Sequence, residues 1–345
     1  MKTQTISTDF AANLLSQLPE KENSVISPYG IAAVLSMAAE GTGGSSLDEI
    51  LSVLGFDSLD ALRSAVVVTI NNPCEAFKSE NNMELQKGAN DIALCKRFKQ
   101  ILTEQYAANV SEEESDGNAT IQLCNIATFK AKWFVEMERD TTGEKRFYNA
   151  NGSLSQPAFL SCYADLRCYR DDEFWPTVQA VGLPYKLDGN RIPYELVLVD
   201  SEKPLTQKLL QEVLSNMRVD ACEVEFPEFS IKSTYDLISM MRSMGVQKIF
   251  NESHKSINRM ATQPLYAAGF SQEAEIQVDE NGTVASAITC MTMCLKGGVS
   301  FCDKFRFNKP FSYFLRKTET GEILFLGKVK QLTDCEREKR TIDSL

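Results

Sequence analysis

The sequence predicts an α+β protein, with one domain over residues 1–332 built of mixed β-sheets with helices around them, and a charged tail over 333–345 expected to be disordered. Three observations carry this. Helical and strand-like apolar periods are interspersed without the strict alternation that gives a parallel, doubly wound sheet. The chain has 345 residues, 43% of them hydrophobic, which is ample for one large core. No internal repeat divides it, and after Leu332 the run TDCEREKRTIDSL is too polar to pack.

Taken in order, apolar residues at helical spacing predict helices over Thr8–Leu18, Ile31–Ala39, Ser46–Leu54, Leu59–Ile70, Phe98–Ala107, Leu205–Asn216 and Thr234–Met244. In the first of these, Phe10, Leu14, Leu15 and Leu18 share a face. Gly41-Thr42-Gly43-Gly44 stops the second helix, and Ser46 is placed to cap the next. Strand-like runs are Leu85–Leu94, Ile121–Lys130, Gln179–Leu183, Tyr194–Val199, Cys222–Phe226, Glu275–Val278, Phe305–Phe307, Phe311–Arg316 and Ile323–Val329.

Composition removes several classes of function. A formal charge of -11 and the lack of a basic run interleaved with aromatics exclude a general nucleic-acid binder. The longest apolar stretch, Ile31 to Ala39, is too short to cross a bilayer, so no membrane partner is expected. The polar N-terminus does not read as a secretory signal, so the mature chain is expected to start near Met1. Ten cysteines without a C-x-x-C pair or a Cys/His cluster fit a reducing compartment, with no metal and no cofactor. The single histidine, His254, lies in the polar run Asn251-Glu252-Ser253-His254-Lys255-Ser256, and there is no G-x-S-x-G elbow. Gly41-Thr42-Gly43-Gly44-Ser45-Ser46 lacks the lysine of a phosphate loop, and the acidic runs Glu112-Glu113-Glu114 and Asp171-Asp172-Glu173 are consecutive rather than helically spaced. An enzyme is therefore not expected.

The segment Asp279 to Lys296 stands out. Thr283, Ala285, Ala287, Thr289, Met291, Met293 and Leu295 alternate without a charge, small at first and apolar later, so all could face inward if the segment joined a sheet. Val284, Ser286, Ile288, Cys290, Thr292, Cys294 and Lys296 would face the other way. By composition alone this is an ordinary strand of a globular domain.

Motifs spread along the chain change that reading. Asn23-Ser24-Val25-Ile26-Ser27-Pro28-Tyr29-Gly30-Ile31, running into Ala38-Ala39-Glu40-Gly41-Thr42-Gly43-Gly44, resembles the serpin pattern N-V-x-x-S-P-x-S-I followed by a helix and G-A-x-G-x-T. Cys124-Asn125-Ile126-Ala127-Thr128-Phe129-Lys130-Ala131-Lys132-Trp133 is similar to the family's V-N-A-x-Y-F-K-G-x-W strand. Phe226-Pro227-Glu228-Phe229, Tyr235-Asp236-Leu237, Met244-Gly245-Val246 with Ile249-Phe250, Asn308-Lys309-Pro310-Phe311 and Ile323 to Val329 match later markers in order.

The resemblance is to the intracellular, ovalbumin-like type of serpin, and it implies a serpin fold with an exposed reactive-centre loop. It also implies a suicide-substrate inhibitor. A target serine protease cuts the loop and forms a covalent acyl-enzyme, and the cut loop then inserts into the main sheet. Carried over, the hinge is Glu280, Gly282, Thr283, Ala285, Ser286 and Ala287, and the family's count places the reactive bond at Lys296–Gly297. Lysine there fits a trypsin-like enzyme; cleavage at Leu295 or Cys294 by another serine protease or a cysteine protease is the alternative. Ser27, Asn125, Trp133 and Gln272 correspond to the cluster at the sheet's opening, with Gly30 where serine is usual and Gln272 where histidine is usual. Between Val110 and Ile121 the chain offers only ten residues where relatives carry a sheet-edge strand and a helix across the main sheet, so that helix is expected to be absent, which leaves a non-inhibitory binding or carrier serpin as the second reading. The cytoplasm is the expected location, with unconventional release outside the cell as the alternative.

Overall fold

The computed structural model describes residues 5–71, 75–88, 92–174, 176–283 and 303–335. A hydrogen-bonded main sheet runs in the order Asn109–Glu113, Phe77–Gln86, Thr120–Phe129, Ala267–Asp279, Phe229–Asp236. The first and third of these pairings are parallel and the other two antiparallel, so the sheet is mixed, as expected. A second, antiparallel layer joins Ser24–Ile26, Ile323–Val329, Phe311–Lys317, Asn190–Ser201 and Val178–Leu187. From Val178–Leu187 the pairing continues through Phe159–Arg170 and Arg218–Pro227 to Asp303–Arg306.

The core lies between the main sheet and the second layer, around the helix Pro28–Glu40, in which every residue from Pro28 to Ala39 is buried. A helix surrounded on all sides has no polar face, which is why this stretch reads as nearly continuous small and apolar residues. Ser27 caps its N-terminus by accepting from Gly30 N at 3.1 Å, and Pro28 takes the first position, where no amide is needed. Six further α-helices, Thr8–Gln17, Ser45–Leu54, Leu59–Asn71, Lys96–Gln105, Gln207–Asn216 and Ile238–Met244, complete the described set.

Several expectations are corrected. The strand-like run assigned to Leu85–Leu94 is instead Phe77–Gln86, whose outward side chains Lys78, Glu80, Asn82, Glu84 and Gln86 hide its period. The helix expected from Thr234 is a strand to Asp236 and a helix only from Ile238. Phe159–Arg170 is a strand outside the expected runs. Gly44, not Ser46, occupies the cap of the third helix. The edge strand Asn109–Glu113 leads through residues 114–119 directly into Thr120–Phe129, with no helix between them.

Candidate functional site

The Ala267–Asp279 strand ends in a two-residue turn, Glu280-Asn281, after which Gly282 pairs back with Asp279 and Thr283 with Val278. Asp279 fixes the turn by accepting from the amides of Asn281 (2.8 Å) and Gly282 (3.2 Å) through Oδ1. On their other side the same two residues pair with Ala131–Trp133, Gly282 with Lys132 and Thr283 with Ala131. Trp133 closes the junction, its Nε1 donating to Asp279 O (2.8 Å) and its amide to Asn281 O (3.1 Å). Gly282 has φ +146°, and a Cβ there would overlap the carbonyl of Ala131, so only glycine fits between the strands.

Thr283 is wholly buried. Its hydroxyl lies 2.7 Å from Tyr185 Oη. That ring stacks on Trp133 (centroids 4.7 Å apart, 15° between planes) and meets Phe129 edge-on at 4.9 Å. Glu280 is held from the surface side by Arg139, whose Nε lies 3.5 Å from it and 2.6 Å from Glu228. Burial pushes the Glu228 carboxyl up from its ordinary value; Arg139 opposes this and a hydrogen bond with Glu280 adds to it, leaving the net direction upward.

Lower in the sheet, Thr120–Phe129 and Ala267–Asp279 are directly paired from Ile121 and Ala267 up to Ala127 and Ala274. Gly282–Thr283 therefore enters where that pairing stops, with a strand on each side.

Ser27, Asn125 and Gln272 form one buried network beneath this region. Gln272 accepts from Ser27 N (2.7 Å) through Oε1 and donates through Nε2 to Ser27 O (3.0 Å) and Asn125 Oδ1 (2.8 Å). Asn125 Nδ2 in turn donates to Ser79 Oγ and Asn81 Oδ1, both at 2.9 Å, and Ser27 Oγ donates to Leu324 O at 2.7 Å. An amide can give and take at once, so glutamine completes a network linking the buried helix to four strands. The glycine at position 30 has a steric reason: a Cβ there would overlap Asn125 Oδ1. Trp133 does not join this network and belongs to the junction around Gly282 and Thr283 above.

Ala285, Ser286, Ala287, Lys296 and Gly297 lie outside the described residues. Beyond them the chain is tied down again at Asp303–Arg306, which pairs in parallel with Arg218–Pro227. His254 is exposed in the turn after Asn251, its amide donating to Asn251 O. Among the described residues no group of three His, Cys, Asp or Glu side chains is placed to hold a metal, and no helix is long and apolar enough to cross a membrane. The sequence reading missed Tyr185, Arg139 and Glu228. Tyr185 follows Pro184, which interrupts the strand period at the point where the residue becomes important, and only the fold brings Arg139 to Glu228.

The family described as Serpin (serine protease inhibitor) matches the chain over residues 5–114 and 103–332. The chain is a serpin. Its relatives include Iripin-2 of Ixodes ricinus, 25% identical over 94% of this chain and 92% of that one. Intracellular coagulation inhibitor 1 of Tachypleus tridentatus is 24% identical over 96% and 90%. Among solved structures, the thermophilic serpin tengpin in its native state superposes with a TM-score of 0.79 at 20% identity, covering 94% of this chain and 93% of that one. Thyroxine-binding globulin complexed with thyroxine gives 0.79 at 20% identity, over 95% and 99%. The serpin fold, α+β with mixed sheets, follows from these likenesses. Serpins as a family bind target proteases, and this serpin keeps the sheet architecture with the covering helix missing among its described residues.

Proposed function

We propose that this serpin is a suicide-substrate inhibitor of a trypsin-like serine protease, cut at Lys296–Gly297 and trapping the enzyme as an acyl-enzyme while the loop inserts into the main sheet. The observation that carries the reading is Thr283, buried and strand-paired on both sides at the entrance to the sheet. Insertion adds backbone hydrogen bonds and apolar burial to a sheet that already accepts the first hinge residues. The uncharged alternation from Thr283 to Leu295 lets the rest follow without burying an ion. The cytoplasm suits the described cysteines, Cys95, Cys124, Cys162, Cys168, Cys222 and Cys335, all of which are free thiols. A cysteine protease is the alternative target.

The test is incubation with an equimolar amount of trypsin, followed by denaturing electrophoresis and mass spectrometry of the released peptide. The expected result is a denaturant-resistant adduct and a peptide beginning at Gly297. Lys296→Ala should remove recognition by trypsin, and unchanged inhibition by that variant would take Lys296 out of the site.

The second reading, a non-inhibitory binding protein, is favoured by a surface cavity of about 570 Å³ between the helix Thr8–Gln17 and the second layer, lined in part by Leu15, Val199, Phe311, Lys328 and Lys330. Burial lowers the pKa of both lysines. Two desolvated cations beside apolar walls suit a small organic anion. Clean cleavage by trypsin without adduct, together with saturable binding of a fluorescent organic anion lost in Lys330→Ala, is the outcome that would favour it.

A further inference from the structure

We infer that Glu322 is a pH-sensitive lock on the N-terminal helix: its carboxyl, buried without a counter-ion where several elements meet, holds that corner closed while it carries a proton and loosens it once the proton is lost. This goes beyond the inhibitory reading and does not depend on it.

Among the described residues, Glu195, Asp200, Glu225 and Glu322 are the buried acids. Three of them have a cation at hand: Glu195 pairs with Arg316 (2.6 Å), Glu225 with Lys145 (2.7 Å) and Asp200 with Lys309 (3.4 Å). Glu322, 2% exposed, has none. Thr69 donates to its Oε2 (3.0 Å), while its Oε1 is buried with no hydrogen-bond partner. An ionised carboxylate in such a place has little to replace its hydration, so the charged form is disfavoured by the geometry itself.

Glu322 ends the hairpin between Phe311–Lys317 and Ile323–Val329, and its backbone is pinned there. Its amide donates to Thr320 Oγ1 (3.3 Å) and its carbonyl accepts from Lys317 N (2.9 Å), so the side chain reaches water only if the corner opens. Thr69 faces it from the helix Leu59–Asn71, the backbone amide of buried Ile6 from the segment before Thr8–Gln17, and Tyr29 from the buried helix. Tyr29 donates its hydroxyl proton to Val66 O (2.9 Å), so that proton is not free for the carboxylate. Lys317 acts on Glu322 only from beyond ion-pair distance. Burial outweighs Thr69, Lys317 and Ile6 and pushes the carboxyl up from its ordinary value.

A proton removes the charge and still leaves an oxygen to accept from Thr69, so the protonated form fits the corner. Stability of this kind is fully present below the unfolded value of 4.5 and is lost as pH rises through the folded one. The N-terminal helix, near a chain end, is the element that opens at least cost when the corner loosens.

Hydrogen exchange of the intact chain at pH 5 and pH 8, corrected for intrinsic rates, tests this. Opening of residues 6–17 should rise at least about threefold between the two, toward a limit of about tenfold for each unit by which the folded value exceeds the unfolded one. Glu322→Gln keeps the shape and cannot ionise, so its opening should change by less than about twofold and lie below wild type at pH 8. Thr69→Val removes the donor that favours the carboxylate and should widen the wild-type ratio. The main-sheet strand Thr120–Phe129 should keep its protection throughout. Equal opening at both pH values in wild type would overturn the proposal. So would a wild-type ratio in Glu322→Gln or a narrower one in Thr69→Val, either of which would hand the effect to another group. A ratio of the same size in Thr120–Phe129 would overturn it too, because the whole molecule would then be opening and not one corner.

Discussion

Two residues at the sheet's entrance have opposite tolerances. Thr283 occupies an apolar site with one polar atom facing it, so Thr283→Arg would drive a guanidinium among Trp133, Tyr185 and Phe129. Burying an unpaired charge costs several kcal/mol, on the order of 3–5 kcal/mol where a partner is lacking. The variant should be cleaved by trypsin at the wild-type rate and yield cleaved protein in place of adduct; adduct at wild-type yield would sink the insertion account. Gly30 presents the reverse case. Gly30→Ser restores the residue usual in the family, yet its Cβ would overlap Asn125 Oδ1 and force the Ser27–Gln272–Asn125 network apart. A loss of about 1–3 kcal/mol is expected from overpacking, read as a fall in the thermal midpoint. A midpoint equal to wild type would mean that Asn125 rotates away without cost.

At the scale of elements, the turn after Ala267–Asp279 is clasped by Arg139 lying between Glu228 and Glu280. Glu228 has its pKa raised, chiefly by burial, so its protonated form is the one the folded state favours. A group of this kind contributes stability that is fully present below its unfolded pKa and is lost as pH rises through the folded value. The relevant window therefore runs upward from the ordinary 4.5 of a glutamate. After correction for intrinsic exchange, the hinge peptide should open less at pH 5 than at pH 7, and Glu228→Gln should flatten that difference. A steeper dependence in the variant would assign the effect to another group.

The main sheet itself explains how the fold manages without a covering helix. Lys78, Glu80, Glu84, Glu273, Glu275 and Lys232 project from the strands Phe77–Gln86, Ala267–Asp279 and Phe229–Asp236 on the uncovered face, and Lys232 pairs with Glu273 at 2.7 Å. Antiparallel and mixed sheets can leave one face to water when that face is polar. Exposed ion pairs of this kind add little stability, so their service is solubility.

At the scale of the molecule, the inserting-loop reading proposed above requires a main sheet able to take another strand. Trypsin cleavage should therefore raise the thermal midpoint of the product. A gain of several kcal/mol corresponds to roughly 10 °C or more in a chain of this size. A cleaved protein that melts where the intact one does would show that the loop does not enter the sheet.

The sequence by itself determined the class of fold, the buried helix after Ser27, the strands at Ile121, Tyr194, Phe311 and Ile323, and the family, because apolar period and motif order are local properties of the chain. The resemblance to serpins, rather than any local pattern, marks Glu280, Gly282 and Thr283 as hinge residues. The sequence misread Phe77–Gln86 because an uncovered face puts charges in every second place, and it misread Thr234–Asp236 because a strand and a helix adjoin there with no break in polarity. Only the tertiary structure decided that Thr283 is seated against Tyr185, which atoms of Gln272 bond to Ser27 and Asn125, and that Trp133 packs at the Asp279–Thr283 turn instead of joining them. Those contacts join residues about a hundred or more positions apart, and their energy comes from satisfying polar atoms in a shared buried space, which no local pattern records.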